Sequence, residues 1–387
     1  MRTWAKRIAL ALAALLVAAA GTLVVIYGPA LAFLMDIAGY RGAVRALLPD
    51  RPVAFTTRDR QVPTRDGPLL ARIYTPARSP SHTVVVFPGV HGGGVDEPRL
   101  ATFCGRLAST GLEVVCAPLP ELRHFLITHH STDAIEDVTL DVANDPSLTP
   151  RGRVGLVGVS FSGGLALVAA GRPRLRGRLE AVLSLGGYGD LPRALRFLCT
   201  GELPDGSHRT PHDYGLAVIA LAAVPQLVPA DQTAALERGI RTFLEASLDD
   251  SPAQTRASAL VADARAQAAA LPEPARGILD ATLDRRVDTL GRLLAPLVDS
   301  LASDPALSPE RSPITDAPVF LLHGRDDNVI PSTETPLAAA DLIRRGNPHV
   351  QWLLTPLLSH ADLGGHAALT DGWHLLSFWR RVLTAIG

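Results

Sequence analysis

Apolar and polar positions are distributed differently in successive parts of the chain, and each change of texture predicts a different kind of element. Residues 8–35 carry no charged side chain and follow Arg2, Lys6 and Arg7. With Gly28-Pro29 expected to break the helix, about 20 apolar residues remain, enough to cross roughly 30 Å of hydrocarbon. The pattern predicts an uncleaved N-terminal transmembrane helix. The positive cluster before it places the N-terminus inside and the bulk of the chain outside the cytoplasm. The rival reading is a cleavable signal peptide ending at Ala18-Ala19-Ala20, which would release a secreted or periplasmic protein. Residues 36–52, with Arg41 and Arg45, read as a connecting segment.

Short β-branched and apolar runs then begin. Residues 53–57 and 69–74 read as two antiparallel strands around the turn 63–68. Residues 83–87, 113–116, 154–157 and 181–185 read as further strands, with helical patterns at 97–109, 131–142 and 164–170 between them. From residue 190 to 312 the alternation stops. Ala, Leu and Arg dominate segments 217–223, 233–248, 253–271 and 275–301, which predicts a helical insertion punctuated by proline. Strand and helix resume at 318–322, 334–345, 350–354 and 367–385. Strands alternating with helices predict an α/β fold, with a mostly parallel sheet covered by helices on both faces. The expected organisation is an anchor (1–35), a linker (36–52), an α/β core (53–189 and 313–387) and a helical cap or lid (190–312) inserted before the last two strands.

Composition changes this picture little. The chain of 387 residues has a net charge of −1, which leaves no electrostatic footprint for nucleic acid. Cys104, Cys116 and Cys199 have no metal-ligand spacing and form no disulfide framework; Cys104 and Cys116 could pair in an oxidising compartment, with buried thiols as the other state. His129-His130 and the cluster His208, His212 and Asp213 match no familiar metal spacing, and no metal or other cofactor is expected. The second cluster falls early in the cap, where it could meet substrate.

The chemistry sits in Gly158-Val159-Ser160-Phe161-Ser162-Gly163, between an apolar strand and a small-residue helix. A strand that reverses into a helix holds the residue at its tip in a strained backbone, with its side chain above the helix N-terminus. This segment resembles the nucleophile elbow of the α/β-hydrolase family and implies Ser160 as nucleophile. Ser162 stands where the family pattern has its second glycine, and is itself the rival tip. The segment His323-Gly324-Arg325-Asp326-Asp327 is similar to the family's His-Gly-x-x-Asp run, which implies Asp327 as the acid, with Asp190 as a rival. His360, after the last strand, takes the place of the base, and His366 is the alternate. Pro88-Gly89-Val90 occupies the place of the oxyanion loop. The resemblance thus implies backbone N–H donors at Phe161 and at Val90 or His91, beside the run Gly92-Gly93-Gly94. It further implies a serine hydrolase, carboxylesterase-like, that cleaves a small-molecule or lipid ester through an acyl-enzyme; the N-terminal span would anchor it to a membrane. Thioesterase, peptidase or acyltransferase chemistry would use the same residues. The alternative of a different class is a non-catalytic, membrane-anchored binding protein on the same fold.

Overall fold

The computed structural model describes residues 21–40, 42–48, 52–80, 82–248, 255–358 and 369–386. Eight strands form one sheet: β1 (Phe55–Val62), β2 (Leu69–Pro76), β3 (Thr83–Phe87), β4 (Glu113–Cys116), β5 (Val154–Val159), β6 (Leu179–Leu185), β7 (Val319–Gly324) and β8 (Val350–Thr355). Their order is β1-β2-β4-β3-β5-β6-β7-β8. β2 runs antiparallel to both β1 and β4, and every pairing from β4 to β8 is parallel.

Period-2 side chains divide the core in two. Val85 and Phe87 of β3, Val115 of β4, Leu156 of β5 and Leu321 of β7 face one cluster. Their neighbours Val84, Val86, Val114, Val157 and Leu322 face the other. The first face is covered by the helices His129–Asn144, Phe161–Ala170 and Glu334–Arg344, and the second by Pro98–Ala108 and Leu369–Ile386. Because both faces are buried, the parallel strands read in sequence as continuous apolar runs.

Between β6 and β7 the chain forms the helices Leu191–Thr200, Asp213–Leu227, Ala230–Ala246, Thr255–Ala270, Ala275–Leu283 and Val287–Leu294, with shorter turns after them. The segment 275–301, read as helical, is broken at Arg285, which takes φ 52°. Leu236, Leu279 and Ala264 of this cap are fully buried and continuous with the first core cluster.

The N-terminal expectation is overturned. Among the described residues no helix is long and apolar enough to cross a membrane. The expected transmembrane helix, and the location with the hydrolase domain outside the cytoplasm, are withdrawn with it; the secreted or periplasmic alternative gains no support. Residues 1–20, with the Ala18-Ala19-Ala20 site, lie outside the described residues. Residues 21–37 are helical, so Gly28-Pro29 does not end the helix. Pro29 removes one backbone donor, but packing against the protein holds the turns that follow. Ala30 and Phe33 are buried in the second core cluster, and the Phe33 ring lies 4.7 Å from Trp379 and 6.3 Å from Phe103. The second half of this helix is thus buried against a protein face, while Leu23, Val24, Val25 and Ile26 at its start are exposed.

Candidate active site

Ser160 stands between β5 and the helix Phe161–Ala170 at φ 56° and ψ −130°. A serine keeps such a backbone only where its neighbours hold it. Its N–H donates to the Leu185 carbonyl at the end of β6 (2.7 Å), and its own carbonyl accepts from the Gly163 N–H (2.8 Å). The reversal is so tight that a methyl on Gly158 would collide with the Ser162 carbonyl.

Ser162 has a different environment. It is fully buried. Its Oγ accepts from the Val159 N–H (2.8 Å) and lies 2.9 and 3.0 Å from the carbonyl oxygens of Val159 and Phe87. The hydroxyl stitches the elbow to the end of β3.

The loop after β3 passes directly against the tip. A methyl on Gly89 would lie 3.0 Å from the Ser160 Cβ and 3.6 Å from its Oγ, so the approach requires glycine. Further along, the Gly93 N–H donates to His91 Nδ1 (3.1 Å) and the Gly94 N–H to the His91 carbonyl (3.0 Å). Among the described residues neither the Val90 N–H nor the Phe161 N–H has an acceptor. For Phe161 this follows from its place at the start of a helix, where the first N–H groups have no intrahelical partner.

Asp327 is buried in the loop after β7. Its Oδ1 accepts from the N–H groups of Val329 (2.8 Å) and Ile330 (3.1 Å), and its Oδ2 is 3.3 Å from Nε2 of His323. His323 is wholly buried, with Nδ1 2.8 Å from Thr335 Oγ1 and Nε2 3.0 Å from the Ile330 carbonyl. A carbonyl oxygen can only accept, so Nε2 carries a proton. A methyl on Gly186 would come within 3.7 Å of Asp327 Oδ2. Ser160 and Asp327 therefore meet the end of β6 at adjacent residues, Leu185 and Gly186.

Asp190, the rival acid, is engaged elsewhere. It caps the helix Leu191–Thr200 by accepting from the Arg193 N–H (2.9 Å), and its other oxygen accepts from Arg311 (2.7 Å). Asp326 is exposed. His360 and His366 lie outside the described residues. The chain leading to them leaves β8 at Thr355, whose carbonyl accepts from the Arg325 N–H (2.9 Å). It then passes Gly324, where a methyl would come within 2.5 Å of the Leu358 carbonyl oxygen.

The other polar clusters have structural explanations. The ligand atoms of His129, His130 and Asp133 lie within 4.8 Å of one another. Asp133, however, is held by Arg172 (2.6 Å) and Arg65 (3.1 Å), while His129 pairs with Asp304 and His130 with Asp66. The bond to Asp66 raises the His130 pKa. Two guanidinium groups on the one carboxylate make this a charge network, not a cation site. Cys104, Cys116 and Cys199 are buried free thiols, and burial pushes Cys199 up to about 12.

Pattern reading missed how the cap grips this site. Arg209 Nη1 donates to the carbonyls of Arg325 (3.1 Å) and Asp327 (2.9 Å), and the His212 N–H donates to the Asn328 carbonyl (2.8 Å). Two residues later the Tyr214 hydroxyl donates to the Val90 carbonyl (3.1 Å). The only sequence signal was a polar and aromatic cluster just before an apolar helix.

The strand order, the antiparallel β2 and the serine-tipped turn after β5 define an α/β-hydrolase-like fold. Among solved structures, the chain is similar to a hyperthermophilic esterase from the archaeon Pyrobaculum calidifontis, at 18% identity over 86% of this chain and 87% of that one, with a TM-score of 0.47. It is also similar to a thermostable carboxylesterase cloned from a metagenomic library, at 15% identity over 87% and 90% of the two chains and a TM-score of 0.46. For the acylaminoacyl peptidase of Pyrococcus horikoshii the identity is 13%, the coverage 85% of this chain and 41% of that one, and the TM-score 0.43. Likeness at this distance carries no argument about activity. No protein-family model and no curated protein matches the chain.

Proposed function

We propose that the protein is a serine hydrolase that cleaves carboxylic esters through an acyl-enzyme. The observation that carries this reading is Ser160 in a strained backbone at the elbow, beside two N–H groups without acceptors among the described residues, while the competing Ser162 hydroxyl is bonded away. In this reading Ser160 Oγ attacks the ester carbonyl carbon and its proton passes to His360. The carbonyl oxygen becomes an oxyanion held by the N–H groups of Val90 and Phe161. Asp327 orients the imidazole and stabilises its charged form. Collapse of the tetrahedral species breaks the ester C–O bond, and His360 returns the proton to the departing alcohol. Water, deprotonated by the same imidazole, then attacks the acyl-enzyme; the bond from the acyl carbon to Ser160 Oγ breaks, His360 returns the proton to that oxygen, and the acid is released. The substrate class is a small-molecule or lipid ester, with the cap over the acyl group.

Two features of the chain support the acid and base. Asp327 receives two backbone N–H bonds and the His323 imidazole, which favour its charged form. His360 follows by two positions Leu358, whose carbonyl lies against Gly324 at the end of β7.

Fluorophosphonate labelling with site identification by mass spectrometry tests the reading. The adduct is expected on Ser160. Ser160→Ala should abolish it and lower kcat on p-nitrophenyl butyrate by up to about 10⁶-fold with folding intact. An adduct on Ser162, or none on correctly folded protein, would overturn the assignment.

A further inference from the structure

Val90 lies between two anchors. On one side Gly89 is pressed against Ser160; on the other the Val90 carbonyl accepts from Tyr214, in the first turn of the cap helix Asp213–Leu227. The Tyr214 ring is held in turn. It meets the Phe125 ring edge to face (centroids 6.3 Å apart, planes at 77°), and Phe125 itself abuts Gly92, where a methyl would lie 3.4 Å from its ring. On the core side, Arg123 Nε donates to the Gly92 carbonyl (3.1 Å). The Val90 and Gly92 carbonyls of the loop are therefore both tethered, the first of them by the cap.

The Val90 carbonyl shares one planar peptide unit with the His91 N–H, while the Val90 N–H belongs to the preceding unit, with Gly89; the two units meet at the Val90 Cα. Once the Val90 carbonyl is tied to Tyr214 and Gly89 is wedged against the serine, rotation about Val90 is restrained at both ends. Its N–H, which has no acceptor among the described residues, is then fixed in direction. An oxyanion donor is effective in proportion to such preorganisation, because no reorganisation is left to make as the negative charge develops.

Building on the serine-hydrolase reading, we infer that Tyr214 is a positioning residue for turnover: through the Val90 carbonyl, its hydroxyl holds the oxyanion loop in its working orientation. The same short segment grips the acid loop through Arg209 and His212. Docking of the cap thus sets both loops at once.

The test compares wild type with Tyr214→Phe, which keeps the ring against Phe125 and removes only the hydroxyl. Active sites are titrated with a fluorophosphonate so that misfolded protein is not counted. p-Nitrophenyl butyrate hydrolysis is then measured, together with inhibition by a trifluoromethyl ketone, which adds to the serine and places an oxyanion in the same hole. kcat per titrated serine should fall about tenfold with KM within about twofold, and the ketone inhibition constant should rise in parallel with the fall in kcat/KM. A purely structural hydroxyl would lower the titrated fraction and leave kcat per titrated serine at the wild-type value. That result, or a change confined to KM, overturns the inference. If wild type itself takes up no fluorophosphonate, the serine-hydrolase reading fails and this inference falls with it. If wild type labels and Tyr214→Phe keeps its rate, only the role of Tyr214 is lost.

Discussion

Ser160 and Ser162 are two residues apart and differ in environment because the chain reverses between them. The strained tip lifts Ser160 off the sheet, while the first turn of the following helix carries Ser162 back beneath it, onto Val159 and Phe87. Ser162→Ala would leave the Val159 N–H without its side-chain acceptor in a buried turn. That should cost about 1–3 kcal/mol of stability. Denaturant unfolding should show the loss, while fluorophosphonate still labels Ser160. Unchanged stability would mean that the hydroxyl does not hold the elbow.

Among the elements, the helix His129–Asn144 is fastened to the β1–β2 turn by charge. Arg65, in that turn, donates through its backbone N–H (2.9 Å) and its guanidinium (2.8 Å) to Asp137, which also accepts from Arg174 (2.7 Å). Burial would raise the Asp137 pKa, but the hydrogen bonds from Arg65 and Arg174 outweigh it and hold the carboxyl well below its usual value. A depressed acid stabilises the fold above its unfolded pKa, near 3.9, and that contribution is lost as pH falls through the folded pKa. Asp137→Asn should therefore be less stable than wild type at pH 7, by about 1–2 kcal/mol given that Arg65 is partly exposed. The gap in Tm should narrow steadily below about pH 4, where the unfolded chain takes up a proton that the folded carboxyl does not. A gap that is independent of pH would assign the effect to shape and not to charge.

In the molecule as a whole, the cap does not sit on the sheet as a separable part. Leu216, Leu236 and Leu279 of the cap share one buried cluster with Val85, Leu156 and Leu165 of the core, and the Tyr188 hydroxyl donates to the Leu307 carbonyl (2.8 Å) across the boundary. Replacing residues 190–312 by a short Gly/Ser linker would strip that cluster of half its walls. The shortened chain is expected to be insoluble or to lack a cooperative unfolding transition, as measured by circular dichroism and size-exclusion chromatography. A folded product with altered acyl-chain preference would instead make the cap an independent module.

The sequence by itself determined the elements of the sheet. β3 and β4 coincide with the runs at 83–87 and 113–116, and the other parallel strands differ from theirs by a residue or two at the ends, because strands within a covered parallel sheet are mostly apolar. The elbow was legible for a similar reason: only small residues fit where Gly158 meets Ser162. What local pattern could not decide was what an apolar surface packs against. The uncharged N-terminal stretch has the texture of a membrane span, yet Ala30 and Phe33 bury into the second core cluster, and hydrophobicity alone does not distinguish lipid from protein. Nor could spacing reveal that the Ser162 hydroxyl is bonded to Val159, or that Tyr214 reaches Val90, 124 residues away in the chain. Those are matters of direction and long-range contact, which arise only when the chain closes on itself.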